Sequence, residues 1–315
     1  MNKNILIIGN GFDLDLGMKT KYSDFANNEK YWPRDYGAEI SGLQVYLETK
    51  RDMERWFDLE NELRNYSVWE KELYQQVASM DPNKDMKYFE NICKNLTAYL
   101  TTQEMVPLKS NSVAAKVINV IYNNGFFNSC YTFNYTDLDR IIQKLHIGEH
   151  FNCTHIHGSI KENSIVLGVD ETKLYPGYET LKKVRRPHYE PNDLFNDLNN
   201  SIEIVFFGMS FGRVDNDYFK TFFESITSQN NSTNRKQRLT TIFTYDEKSK
   251  QSILNNISNL DIRCTDLYQS GISFIRTNNN MDSQKLDDFC NRLEHHSVSS
   301  REKNNQNILT ILSDL

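Results

Sequence analysis

The stretch NILIIGNGFDLDLGMKTKYSDF, Asn4–Phe25, decides how the rest of the chain reads. Ile5–Ile8 is a short, wholly apolar run closed by Gly9, the pattern of a strand buried on both faces of a parallel sheet. Gly9, Asn10, Gly11, Phe12 and Asp13 then turn the chain. Glycines there let backbone approach a phosphate or a ribose, and a following helix would offer free N–H groups. The usual dinucleotide fingerprint, G-x-G-x-x-G, is not completed, because Gly17 falls too far along. A tight strand–helix turn with Asp13 as N-cap is the alternative reading.

Downstream the hydrophobic period changes. Trp56, Leu59, Leu63 and Tyr66 recur at helical spacing, Trp69, Leu73 and Val77 continue the stripe, and Met86–Leu100 and Val113–Ile121 repeat it. This predicts a helical insertion over 39–125, longer than one ordinary crossover. Strand-like runs return at Phe126–Phe133, Phe151–Ile156, Ile165–Val169, Ile202–Phe207, Leu239–Tyr245 and Ile272–Ile275. Helical stretches fall between them, at 137–146, 188–199, 214–228, 247–257 and 282–295, while asparagine clusters near 196–200, 230–234 and 278–280 read as loops. Alternating strands and helices predict an α/β fold: a Rossmann-like, mostly parallel sheet with helices on both faces and a helical insertion after the first strand. The expected division is a Rossmann-like domain over 1–38 and 126–296, the insertion 39–125, and a tail 297–315 with a short amphipathic helix (Ile308, Leu309, Ile311, Leu312).

Composition narrows the function classes. The chain has 315 residues, 25% of them charged and 38% hydrophobic, which is globular rather than disordered. A net charge of −6 without a long basic run argues against a duplex-DNA binder. Lys182, Lys183, Arg185 and Arg186 form the nearest thing to a basic patch and read as a solvated loop. Five cysteines, Cys93, Cys130, Cys153, Cys264 and Cys290, show no paired spacing, which fits free thiols in a reducing compartment and no structural zinc. The apolar run Ile5–Ile8 is too short for a signal peptide or a membrane span, so the expectation is a cytoplasmic protein.

In open parallel sheets ligands bind beyond the carboxyl ends of the strands, so the residues after each strand carry the functional question. After Phe133 comes Asn134, with groups for a ribose hydroxyl, an amide or a water, followed by Thr136 and Asp137 as helix caps. After Ile156 come His157, Gly158 and Ser159, where His157 could act as a base near neutral pH and His155 reads as structural. After Phe207 come Gly208, Met209, Ser210 and then Asp215 opening a helix. Each cluster has a bland alternative in turn and cap chemistry. Asp58 and Glu60, not on one helix face, read as exposed charge, with a reach of one of them into the pocket as the alternative.

The segments IIGNGFD, Trp56-Phe57-Asp58-Leu59-Glu60, TFNYTD, HIHG and FFGMSFGRVDNDYF, in this order, resemble the AbiH-type phage abortive-infection family over most of 1–225. The same order is more remotely similar to the sirtuin NAD-binding fold, whose glycine spacing Gly9, Gly11 and Gly17 reproduce. That resemblance implies that Asn134 meets the ribose and nicotinamide, that His157 is catalytic with Gly158 beside it, and that Gly208 and Ser210 hold the adenosine side. Met18–Phe25 lacks the sirtuin arginine and the zinc module is missing, which leaves NAD binding or cleavage rather than protein deacylation.

The expectation is therefore an antiphage NAD glycohydrolase with NAD as substrate and no metal. Gly9, Asn10, Gly11 and Phe12 would cradle the pyrophosphate with Asp13 and Asp215 nearby. Asn134 would position ribose and water, and His157 would take a proton. Gating by homo-oligomerisation or a phage-derived trigger is implied, because uncontrolled NAD loss would kill the host. Two other classes stay open: a non-catalytic NAD or ADP-ribose sensor, and a metal-dependent phosphotransferase or nuclease using His155, His157 and aspartates.

Overall fold

The computed structural model describes residues 3–37, 40–53, 57–68, 80–125, 127–169, 173–190, 192–228, 238–278 and 281–295. Its strands are β1 (Lys3–Ile8), β2 (Ser129–Thr132), β3 (Thr154–His155), β4 (Ser201–Phe207), β5 (Leu239–Thr244) and β6 (Ile272–Arg276). They form one six-stranded sheet in the order β3-β2-β1-β4-β5-β6. Every adjacent pair is parallel, with Ile8 of β1 set between Thr132 of β2 and Phe207 of β4. The α/β expectation holds, and this strand order is the doubly wound one in which the chain reverses direction across the sheet beside β1.

Among the described residues six helices separate β1 from β2: α1 (Asn10–Asp15), α2 (Tyr22–Ala26), α3 (Gly42–Met53), α4 (Leu59–Ser67), α5 (Pro82–Gln103) and α6 (Val113–Asn124). Helix α7 (Leu138–Lys144) follows β2, α8 (Leu194–Asn200) precedes β4, and α9 (Asn216–Ser228) follows it. Helices α10 (Glu247–Ser258) and α11 (Cys264–Gln269) lead to β6, and α12 covers 283–295.

Alternation along β1 explains why its run is wholly apolar. Leu6 and Ile8 face α1, α6, α7 and α12, while Ile5 and Ile7 face α8 to α11. Burying both faces makes period-two polarity impossible, so the strand shows only its length and its closing glycine.

Helices α3 to α5 build a core of their own, joined by Phe25 and Trp32 and by Tyr135, Ile160, Ile165, Leu167, Val169, Leu174, Tyr178 and Leu181. Asp85 of α5 ties it together: it accepts from Leu43 N at 2.8 Å, from the Tyr66 hydroxyl at 2.8 Å, and from the Tyr178 hydroxyl. A fully buried carboxylate with three donors is satisfied, so it fixes α3, α4, α5 and the segment before α8 in one arrangement. Helix α6, inside the expected 39–125 insertion, packs instead on the sheet.

Three expectations are corrected. The Phe151–Ile156 run contributes only Thr154–His155 to the sheet. Ile165–Val169 makes no strand; Ile165, Leu167 and Val169 pack into the insertion core, and only an isolated bridge joins Val169 to Lys182. The asparagines at 196–200 lie in α8, where Asn200 Nδ2 donates to Asn196 O at 2.8 Å. The expectations for Trp56, Trp69, Leu73, Val77, Phe126, 230–234 and the tail 297–315 lie outside the described residues. All five cysteines are free thiols.

The turns after β1 and β4 pack backbone on backbone. Gly9 N donates to Phe207 O at 2.9 Å and Gly11 N to Gly208 O at 3.0 Å. A Cβ on Gly208, whose φ is +71°, would sit 2.4 Å from Gly11 Cα, while one on Gly125, with φ +65°, would meet nothing within 4 Å. Gly125→Ala is expected to cost about 1 kcal/mol from the left-handed backbone alone. Gly208→Ala should cost about 2 kcal/mol more, because backbone must move. Urea unfolding of the two variants checks the difference.

Candidate functional site

The carboxyl edge of β3, β2, β1 and β4 brings the expected residues onto one side of the molecule. Asn134, after β2, donates through Nδ2 to Gly9 O at 3.1 Å and to Asp13 Oδ1 at 2.9 Å. Thr136 donates to the other Asp13 oxygen at 2.8 Å. Both Asn134 amide hydrogens are therefore committed, leaving its carbonyl Oδ1 as the remaining group. Asp13 is no N-cap: it lies inside α1, buried, and desolvation pushes its carboxyl up to about 7 against the lowering effect of the Thr136 and Asn134 bonds. Asp137 does cap its helix, accepting from Asp139 N at 3.0 Å.

The glycine turn is shaped by its own partner. Space beside Gly9 and Gly11 is filled by Met209 and Gly208, so these glycines are required by the fold before any ligand is considered. Phe12 is corrected: its ring packs edge-on against Phe207 at 5.4 Å and its N–H donates to Gly9 O at 3.0 Å, so it faces the core. Asn10 is exposed at the edge and accepts from the Thr20 hydroxyl. Ser210 is exposed as well, with its carbonyl taking the Asn256 amide at 2.9 Å. Phe211 between Ser210 and Gly212 holds φ +50°, a strained conformation for a bulky residue, and is locked by Phe206, Phe219 and Phe223.

Past β3, His155 Nδ1 donates to Asn134 O at 3.0 Å, the structural role expected for it. His157 lies in the turn beyond β3, buried, edge-on to Phe133 at 5.4 Å. Burial, and then the Lys183 charge, hold its pKa well below the usual histidine value, so it is neutral at pH 7. Gly158, with φ +72°, serves the next loop rather than opening room beside His157, since a Cβ there would meet Ser164 O at 1.9 Å.

Two further groups complete this edge: Glu60, for which a reach into the pocket was the less favoured alternative, and Lys183, which sequence reasoning missed. Lys183 is 4% exposed and Glu60 7% exposed, against the expectation that both lie in solvent. Lys183 Nζ donates to Glu60 Oε2 at 3.1 Å and lies 3.3 Å from His157 Nε2. Desolvation pushes Glu60 up to about 7; Lys183 opposes this, and Asp215 and Asp58 add to it. Asp58 caps α4, accepting from Asn61 N at 3.2 Å, which aims the next turn, with Glu60, at the sheet edge. Asp215 ends a 3-10 turn that runs directly into α9, at the place expected for a residue opening that helix. The Tyr22 and Tyr135 hydroxyls lie 3.5 Å apart, and burial, with the Glu60 charge next or close to it, keeps both protonated. Arg186, also in the basic run, pairs with Glu90 at 2.7 Å. The Asp58–Glu60 segment was visible as part of a family-like motif; Lys183 had no such signal.

A family model described as bacteriophage abortive infection AbiH matches residues 5–235, a stretch that contains every residue of this edge. No curated protein matches the chain. Among the described residues no helix is long and apolar enough to cross a membrane.

Asp13 gives a pH test. Its raised pKa means that the folded chain holds this proton more tightly than the unfolded chain between the ordinary aspartate value and about 7. Its contribution to stability is full below that window, falls as pH rises through it, and is flat above. Asp13→Asn mimics the protonated form. It is expected to be near neutral at pH 4 and to stabilise relative to wild type at pH 8, by up to about 4 kcal/mol. Denaturant titrations at the two pH values check the crossover.

Proposed function

The chain belongs to the bacteriophage abortive infection AbiH family, and we propose that within that role its sheet-edge site binds NAD and hydrolyses the nicotinamide–ribose bond. The observation that carries this reading is the meeting of the Asn134 and His157 strand ends with the Gly9–Gly11 and Gly208 turns at the point where the strand order reverses, the place such sheets use for nucleotides.

Charge favours one orientation. Glu60 and Asp58 of the insertion, with Asp215 close enough to act on Glu60, would repel a pyrophosphate while favouring the cationic nicotinamide riboside. The pyrophosphate then belongs over the turns, within reach of the exposed Asn10 and Ser210. Bond cleavage builds oxocarbenium character at the ribose anomeric carbon, and fixed polar groups in a buried site are what stabilise it. Asn134 Oδ1 and His157 are the groups assigned to ribose and water. The activity would be gated, by self-association or by a phage-derived trigger.

A second reading, a nucleotide sensor without turnover, is favoured by one observation: Asn134 and His157 are both held by neighbouring groups, Gly9 and Asp13 in one case and Lys183 in the other. For the metal-dependent reading, no three metal-ligating side chains gather among the described residues.

Purified protein incubated with NAD is expected to release nicotinamide. His157→Ala and Asn134→Ala should each lower the rate by about 100-fold or more. Saturable NAD binding with no product at any protein concentration, alone or with phage lysate, would favour the sensor.

A further inference from the structure

The Glu60–Lys183–His157 chain assigns proton chemistry differently from the motif. Protonated Lys183 donates to Glu60 Oε2 and can donate equally to His157 Nε2. A neutral imidazole that accepts at Nε2 carries its own proton on Nδ1. His157 then presents a donor and has no lone pair for an incoming proton. Asp13 has a donor on each oxygen, and Asp58 is engaged as the α4 cap. Glu60 Oε1 is different: it is buried and makes no hydrogen bond among the described residues. An unpartnered carboxylate oxygen in such a place is costly, and it is relieved by a ligand or water that donates to it.

We propose that Glu60, supplied by the helical insertion, is the proton acceptor of the NAD hydrolysis, and that His157 acts as a hydrogen-bond donor through Nδ1. This rests on the NAD-cleavage reading above. In the step, the C1′–N bond breaks with its electron pair going to the pyridine nitrogen, which leaves as neutral nicotinamide. A water oxygen bonds to C1′, and the water proton passes to Glu60 Oε1 and later to solvent. Lys183 offsets part of the effect of burial on Glu60. A carboxyl pushed up to about 7 is matched to taking a proton near neutral pH.

The test measures NAD turnover against pH, together with NAD affinity by calorimetry, in wild type, Glu60→Gln and Glu60→Asp. Expected is a rising limb of log kcat near pH 7 in wild type. Glu60→Gln should lose that limb and about 100-fold or more in kcat, with a much smaller loss of affinity, about tenfold or less, from removal of one carboxylate beside the cationic riboside. Glu60→Asp, with a shorter reach, should keep the limb at reduced rate. If folded Glu60→Gln turns over NAD within about threefold of wild type, or keeps the limb, Glu60 is not the acceptor while NAD cleavage stands. A wild-type protein inert toward NAD removes both proposals together.

Discussion

The contact between the turns after β1 and β4 is the constraint on which the carboxyl edge depends. Gly11 N donates to Gly208 O, and neither glycine has room for a Cβ. The close approach brings the two turns together where the strand order changes direction. From the β2 side Asn134 then clamps Gly9 and Asp13, and His155 clamps the Asn134 carbonyl in turn. Four strand ends are thus coupled by backbone and amide bonds that tolerate little displacement. The glycines are required by this mutual packing, and any nucleotide would meet a surface that the fold has already made rigid.

Onto this edge the insertion adds charge. Glu60 comes from α4, Lys183 from the segment between β3 and β4, and His157 from the end of β3, so the cluster exists only when the insertion core and the sheet are docked. Asp85 and its tyrosine partners hold α4 against the segment that leads to Lys183, which sets the distance between the two partners. Buried ion pairs of this kind gain little net stability, because desolvation offsets attraction. Their cost is easier to understand as the price of a site.

The sheet was legible where burial on both faces leaves a continuous apolar run ended by glycine, as at Ile5–Ile8 and Ile202–Phe207. The alternation that followed placed α7, α9, α10 and α12 within a few residues. The run Ile165–Val169 was illegible for the same reason: five apolar residues look alike whether they pair in a sheet or pack under helices. The rule about strand ends placed Asn134 and His157 at the carboxyl edge, where they lie. Lys183 was not found, and Glu60 only as the less favoured alternative, because a charged side chain is read as exposed unless its partner is known, and these two partners lie 123 residues apart. For Asp13 only the alternative reading as an N-cap fails, since a cap and a buried brace share the same sequence position.

The central claim is that the turns, Asn134, His157 and Glu60 make one nucleotide site. A crystal structure of the protein with ADP-ribose bound tests it most directly. The diphosphate is expected over the Gly9–Gly11 and Gly208–Ser210 turns, and the distal ribose between Asn134 Oδ1, His157 Nδ1 and Glu60 Oε1. Density for the ligand elsewhere on the molecule, with Glu60 and His157 untouched, would contradict it.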